Sequence, residues 1–303
     1  MDFQDYCNPS FKNILFLDST NKKDQIAELK NMQLFRVMRL SDLFEWGRTG
    51  MNALVLVEKW EDPWERALFK QRIPCDDSYL NLSSFRYYGQ CWTKNRNESE
   101  YMWRIYNKEA RDEENAYNLW KSLPKRENNL SVRVEVNAYD LRESLIKYVE
   151  DFDNDTPKIS QYSCFCGNIK YYNEVELKDI LETESIEGRC YLKNFEETLF
   201  VKRDQFSYEN EFRILYSPIS CFAKDKSRNQ DLFKFNMDIS NIKSILLQPI
   251  FNSNLSEREH VKSYFNSVKN RLRNMQFDCK IDRSVIYDYP ELKLKYSASK
   301  HSL

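Results

Sequence analysis

Glu209 and Glu211 stand two positions apart in F-S-Y-E-N-E-F-R-I-L-Y (residues 206–216), where a polar loop runs into an apolar strand. Side chains at i and i+2 of a strand point the same way. Glu209, Glu211 and Arg213 are therefore expected on one face, with Phe212 and Ile214 on the other. A Glu-x-Glu pair at the mouth of a strand can hold one carboxylate against a sugar hydroxyl and offer the second to an incoming group. The same pattern also describes a self-neutralising surface face, on which exposed pairs contribute little. Phe206 and Tyr208 before the pair, and the mostly apolar run after it, favour the edge of a pocket.

Three further groups carry chemistry. Arg36 is centred in L-F-R-V, on a strand whose other face is Phe35 and Val37. An arginine among apolar neighbours needs a partner. That partner is either an internal carboxylate or a bound pyrophosphate, which a guanidinium grips as a fork. Trp92 and Thr93, in G-Q-C-W-T-K-N, offer a ring to stack on a flat ligand and a hydroxyl to orient its ribose. Taken alone, a core tryptophan and a turn-forming threonine explain them more simply. Asp62 and Glu65, in W-E-D-P-W-E, suit a capping pair at a helix start. A metal site there lacks a third ligand by spacing.

Composition narrows the chemistry. The chain has 303 residues, 46 basic and 47 acidic, for a formal net charge of −1, so nothing global draws it to nucleic acid or membrane. The five glycines spell neither a dinucleotide-binding fingerprint nor a P-loop. Any nucleotide would have to be held by side chains. With two histidines, His260 and His301, a His-based metal centre or a Ser-His-Asp triad is poorly served. Of the eight cysteines only Cys164 and Cys166 lie close, which suits buried reduced thiols in a cytoplasmic protein. No apolar run approaches the roughly 20 residues that span a bilayer. The N-terminal M-D-F-Q-D-Y-C has no basic region and is not expected to be a signal peptide.

The elements that must position these residues are mixed. Helices are expected over 20–32, 40–50, from Pro63 onward, 98–107, 111–123, 138–149 (capped by Asn137), 173–183, 191–201 and 255–274. Strands are expected over 33–38, 53–57, 87–93, 131–136, around 164–172, at the Glu-x-Glu motif, over 231–238 and 242–248, and near 276–281. Residues 150–158 look like a loop. Without regular βα alternation this is an α+β chain with a largely antiparallel sheet. One domain with insertions is expected, its core spanning about 33–281.

The motifs in order are L-F-R-V, W-E-D-P-W-E, G-Q-C-W-T, M-W-R-I-Y, V-R-V-E-V and F-S-Y-E-N-E-F-R. They resemble a widespread bacterial domain-of-unknown-function family over roughly residues 33–250. A looser resemblance is to toxin-like ADP-ribosyltransferases, which place an arginine on an early strand, a Ser/Thr strand in the middle and a Glu-x-Glu at a later strand. This resemblance implies an ADP-ribosyltransferase-like fold that consumes NAD. It implies Arg36, Trp92, Thr93 and Tyr208 at the cofactor and Glu211 and Glu209 at the chemistry. It also implies a macromolecular acceptor, a toxin or anti-phage role, and an antitoxin or regulatory partner. The middle strand departs from the family's S-T-S, reading C-W-T here. It further implies that Arg36 and Glu211 converge on one cleft. Two alternatives remain: an interaction module gripping a protein through Phe44 and Trp46 or through Tyr101, Trp103 and Tyr106, and a metal-dependent nuclease built on Asp62, Glu65 and Lys202/Arg203.

Overall fold

The computed structural model describes residues 13–17, 21–67, 72–75, 78–81, 86–106, 130–154, 162–186, 195–218, 230–249 and 259–286. Its strands are β1 (Asn13–Phe16), β2 (Gln33–Arg39), β3 (Met51–Leu56), β4 (Arg72–Cys75), β5 (Ser78–Asn81), β6 (Tyr88–Thr93) and β7 (Ser131–Asn137). They continue as β8 (Tyr162–Asn168), β9 (Lys170–Tyr172), β10 (Val201–Arg203), β11 (Glu211–Pro218), β12 (Leu232–Asn236), β13 (Ile242–Leu247) and β14 (Lys280–Arg283). The helices are α1 (Lys22–Asn31), α2 (Leu40–Thr49), α3 (Glu100–Tyr106), α4 (Ala138–Asn154), α5 (Glu174–Ile186), α6 (Phe195–Thr198) and α7 (Glu259–Asn274).

Ten strands form one sheet in the order β1-β8-β11-β6-β2-β7-β13-β14, with β3 joined to β6 and β12 to β3. Every pairing in it is antiparallel except β1–β8 and β13–β14. The α+β class with a largely antiparallel core is thus the observed one. The alternation of S-V-R-V-E-V-N divides β7 cleanly: Val132, Val134 and Val136 are fully buried, while Arg133 and Glu135 take the opposite face. Those valines join Leu34, Trp92, Phe212 and Ile214 from neighbouring strands, and Leu29, Leu43, Trp46, Leu141 and Leu145 from α1, α2 and α4, in one apolar core.

Local signals close the elements. Gly50 ends α2 at φ 67°, the left-handed conformation that glycine adopts without cost to a Cβ. The Asn137 side chain accepts from Tyr139 N at 2.9 Å and caps α4.

Four segments depart from expectation. Asp62-Pro63 starts a turn rather than a helix, because the Asp62 carboxylate accepts from Trp64 N at 2.9 Å and closes an Asx turn. Helix α4 runs on to Asn154 through the residues expected to begin a loop, anchored by the buried Val149. Of the helix expected over 191–201 only α6 forms among the described residues. Its last residue, Val201, instead opens β10, which continues through Lys202 and Arg203 parallel to β9. The strand around 164–172 is split at Ile169, whose N–H donates to Glu211 O at 3.0 Å. The helix expected over 111–123 lies outside the described residues.

Candidate active site

The end of β6 organises the site. Thr93 is paired with Phe35 of β2 on one side and with Glu211 of β11 on the other. Residues directly opposite across a ladder project to the same face. Phe35, Thr93 and Glu211 therefore share one face, with Cys91 and Arg213 behind them. Arg36, Trp92 and Phe212 belong to the other. Arg36 lies there with its guanidinium carbon 5.9 Å from the Trp92 ring centroid. Trp92 is 2% exposed and donates its indole N–H to Gln90 Oε1 at 3.1 Å. The expected cleft shared by Arg36 and Glu211 is not formed, because pleating puts adjacent residues on opposite sides. Trp92 sits in the apolar core rather than over a ligand.

The face carrying Glu211 holds a buried charge network. Arg213 is fully buried and donates to Glu211 Oε1 at 2.6 Å, to Leu199 O at 2.6 Å and to Glu65. Its guanidinium lies 4.6 Å from the Trp60 ring centroid. Trp60 can come this close because Gly89 has no side chain: a Cβ there would fall 2.8 Å from the indole and 2.4 Å from Leu215. Lys202, delivered by β10 beside Tyr171 of β9, places its ammonium 2.6 Å from Glu209, 3.1 Å from Glu211 and 3.3 Å from Glu65. The Tyr171 hydroxyl accepts from Glu211 N at 2.8 Å. Beside this network Arg203 pairs with Asp62 at 3.3 Å and Glu174 at 3.4 Å.

Glu209 arrives by a different route from the one expected. It ends a 3-10 turn, Asp204–Glu209, and β11 begins only at Glu211. Between them Asn210 is left-handed at φ 44°. The two carboxylates meet through this backbone reversal and the shared Lys202, not through strand periodicity. Four hydrogen bonds fasten the turn to the end of β6: Thr93 Oγ1 to Glu209 O at 2.6 Å, Asn95 Nδ2 to Tyr208 O at 2.7 Å, Lys94 N to Asn210 O at 3.0 Å and Asn210 Nδ2 to Asn95 Oδ1 at 3.2 Å. Thr93 therefore acts on the turn that carries Glu209. Tyr208 is 44% exposed and meets Tyr101 edge to face at 5.0 Å.

The two carboxylates differ electrostatically. Burial opposes ionisation of Glu211, but the charges of Arg213 and Lys202 overcome it and bring its pKa down to about 2. At Glu209 burial prevails over the attraction of Lys202, with Glu211 and Glu65 adding repulsion, and the pKa is raised. Burial works against the Lys202 charge, yet Glu211, Glu65 and Glu209 together raise its pKa. Cys91 is pushed well up by burial and by Glu211, so it remains a thiol.

A narrow cleft opens beside Glu209, lined by Val37, Thr93, Asn95, Trp103, Arg133 and Tyr208 among others, and encloses about 20 Å³. That is room for about one water molecule. Glu65 and Lys202 belong to this site although β-strand periodicity around the Glu-x-Glu could not have found them. The signals were the tryptophan-rich W-E-D-P-W-E and the Lys-Arg pair ahead of the motif. Among the described residues no group of three or more His, Cys, Asp or Glu is placed to hold a metal ion. No described helix is long and apolar enough to cross a membrane.

Neither a protein-family model nor a curated protein matches the sequence. Three solved structures of Thermus sp. 2.9 DarT are similar over 85% of this chain. The complex with ADP-ribosylated ssDNA shares 7% identity, covers 96% of that chain and has a TM-score of 0.29. The complexes with NAD+ and with carba-NAD+ each share 9% identity and cover 98% of that chain, with TM-scores of 0.25 and 0.24. Likeness at this level carries nothing about the site.

Proposed function

We propose that the chain is an NAD-consuming ADP-ribosyltransferase that cleaves the nicotinamide–ribose bond and passes ADP-ribose to a macromolecular acceptor. The observation that supports this reading is the contrast between two adjoining carboxylates: Glu211 buried and ionised, Glu209 on the cleft wall with its pKa raised. Nicotinamide leaves with the electron pair of the glycosidic bond, and positive charge develops at the ribose carbon. A fixed negative field behind the cleft stabilises that charge. Glu209 takes the proton of the acceptor as its oxygen or nitrogen attacks the same carbon, a role suited to a carboxylate of raised pKa. Lys202 and Arg213 hold the pair in place. NAD lies across the cleft mouth, with Thr93 beneath and Tyr208 at the rim. Such an activity suits a cytoplasmic toxin or anti-phage effector restrained by an antitoxin or regulatory protein.

The test is nicotinamide release and label transfer from NAD, comparing the unaltered chain with Glu209→Gln and Glu211→Gln. Glu209→Gln is expected to cost about 10²–10⁴-fold in rate with the fold intact. Equal rates in all three would remove the pair from the chemistry.

One observation favours a second reading, an interaction module. The exposed Tyr101 and Tyr208 form an aromatic pair on the surface, although Phe44, Trp46 and Trp103 are buried. The Tyr106 side chain lies outside the described residues. In that case the unaltered chain binds no NAD, and Tyr101→Ala weakens partner binding instead.

A further inference from the structure

We propose that Arg133 receives the phosphoryl oxygens of a nucleotide at this cleft, an assignment that rests on the NAD reading above. That reading needs a cation for the pyrophosphate, and Arg36 is on the opposite face of the sheet. Arg133 is on the correct one. It pairs with Val37 across β7 and β2, two residues along from Phe35, and Phe35 pairs in turn with Thr93. It lines the cleft together with Thr93 and Glu209.

Its geometry is that of a clamped guanidinium. The guanidinium carbon lies 4.1 Å from the Phe35 ring centroid. Nη2 donates to Asn95 O and to Arg96 O, both at 2.7 Å. Those bonds fix one corner of the planar group, and no described residue accepts from Nε or Nη1. Burial draws the pKa down against the pull of Glu98 and Glu135, but an arginine stays cationic at neutral pH. Both carboxylates have other donors: Glu98 accepts from Trp103 Nε1 at 3.2 Å and from Ser284, and Glu135 accepts from Ser244 Oγ at 2.5 Å. With Nη2 committed to the two loop carbonyls, Nε–H and Nη1–H remain as charge-assisted donors, one to each of two separate phosphoryl oxygens. Across the cleft Glu209 can accept from a hydroxyl. Guanidinium and carboxylate together suit a ribose bearing a phosphate.

Titration calorimetry on the full chain tests this with two ligands, NAD and nicotinamide riboside, which has the same glycosidic bond and no phosphate. Arg133→Gln is expected to weaken NAD about 10-fold or more and to leave nicotinamide riboside within about twofold. Arg133→Lys, which keeps the charge and loses the planar set of donors, should recover part of the loss, and Arg36→Gln should change neither ligand. Unfolding midpoints establish that each variant is folded, and Arg133→Lys carries the comparison if the glutamine variant is not. Equal weakening of both ligands would overturn the assignment, leaving Arg133 only a brace for the 95–96 loop. No weakening at all would overturn it too. If NAD fails to bind the unaltered chain, the NAD reading falls along with it.

Discussion

The two faces of strands β2, β6 and β11 are made from alternate residues of the same segments, yet they are held together by opposite physics. On one, Leu34, Trp92, Phe212 and Ile214 build a continuous apolar core, and Arg36 packs against the Trp92 ring. On the other, Arg213 and Glu211 are nearly as deeply buried but charged, and Lys202 and Glu65 complete their network. The apolar face is stabilised roughly in proportion to the area it removes from water. The charged face is stable only while every charge has its partner, because a lone buried ion is severely penalised. The first kind of surface tolerates small errors; the second does not.

The largest expected effect follows from that difference. Arg213→Met leaves Glu211 and Glu65 buried with one cation fewer, and should lower the unfolding free energy in chemical denaturation by about 3–5 kcal/mol. A loss under about 1 kcal/mol would show that the network is not acting as a unit. Next in size is the pH dependence. The folded-state pKa of Glu211 is depressed to about 2, so its contribution is fully present above its unfolded value and is lost as pH falls through the folded one. Thermal unfolding measured from pH 6 downward should therefore fall more steeply for the unaltered chain than for Glu211→Gln. Parallel curves would place Glu211 outside the network. Glu209→Gln should change stability by no more than about 1 kcal/mol, since its charge is opposed by burial in the folded state while the Lys202 contact is weakened. The smallest effect belongs to the apolar face. Arg36→Met gives up the Trp92 ring contact, which contributes about 0.5–1 kcal/mol, and keeps the packing stem.

The same contrast explains what could be read from the amino acids alone. Periodicity states which residues of one strand share a side, and it placed Glu211 with Arg213, and Arg36 opposite Phe35 and Val37, correctly. It is silent on which sides of two strands coincide, since that depends on a register set by residues distant in the chain. Arg36 and Glu211 were expected together and are separated by one position of pleat at Phe35↔Thr93 and Thr93↔Glu211. Glu209 illustrates the other limit. Its place depends on the left-handed backbone of Asn210, which no hydrophobic pattern encodes. Glu65 lies over 130 residues before Lys202, and only folding brings the two within 3.3 Å. The elements with strong local signals, such as the alternating β7, the Asn137 cap and the Gly50 stop, were legible because their causes lie within a few residues.

The ammonium of Lys202, ringed by three carboxylates, has one more consequence. Amine-reactive reagents attack the neutral amine, and this one is held protonated more firmly than an exposed lysine. In a labelling experiment resolved by peptide mass, Lys202 should remain unmodified while exposed lysines such as Lys234 and Lys280 react. A ligand that pulls Glu209 away from it would raise that labelling, making a silent lysine into a reporter of occupancy that needs no knowledge of the reaction.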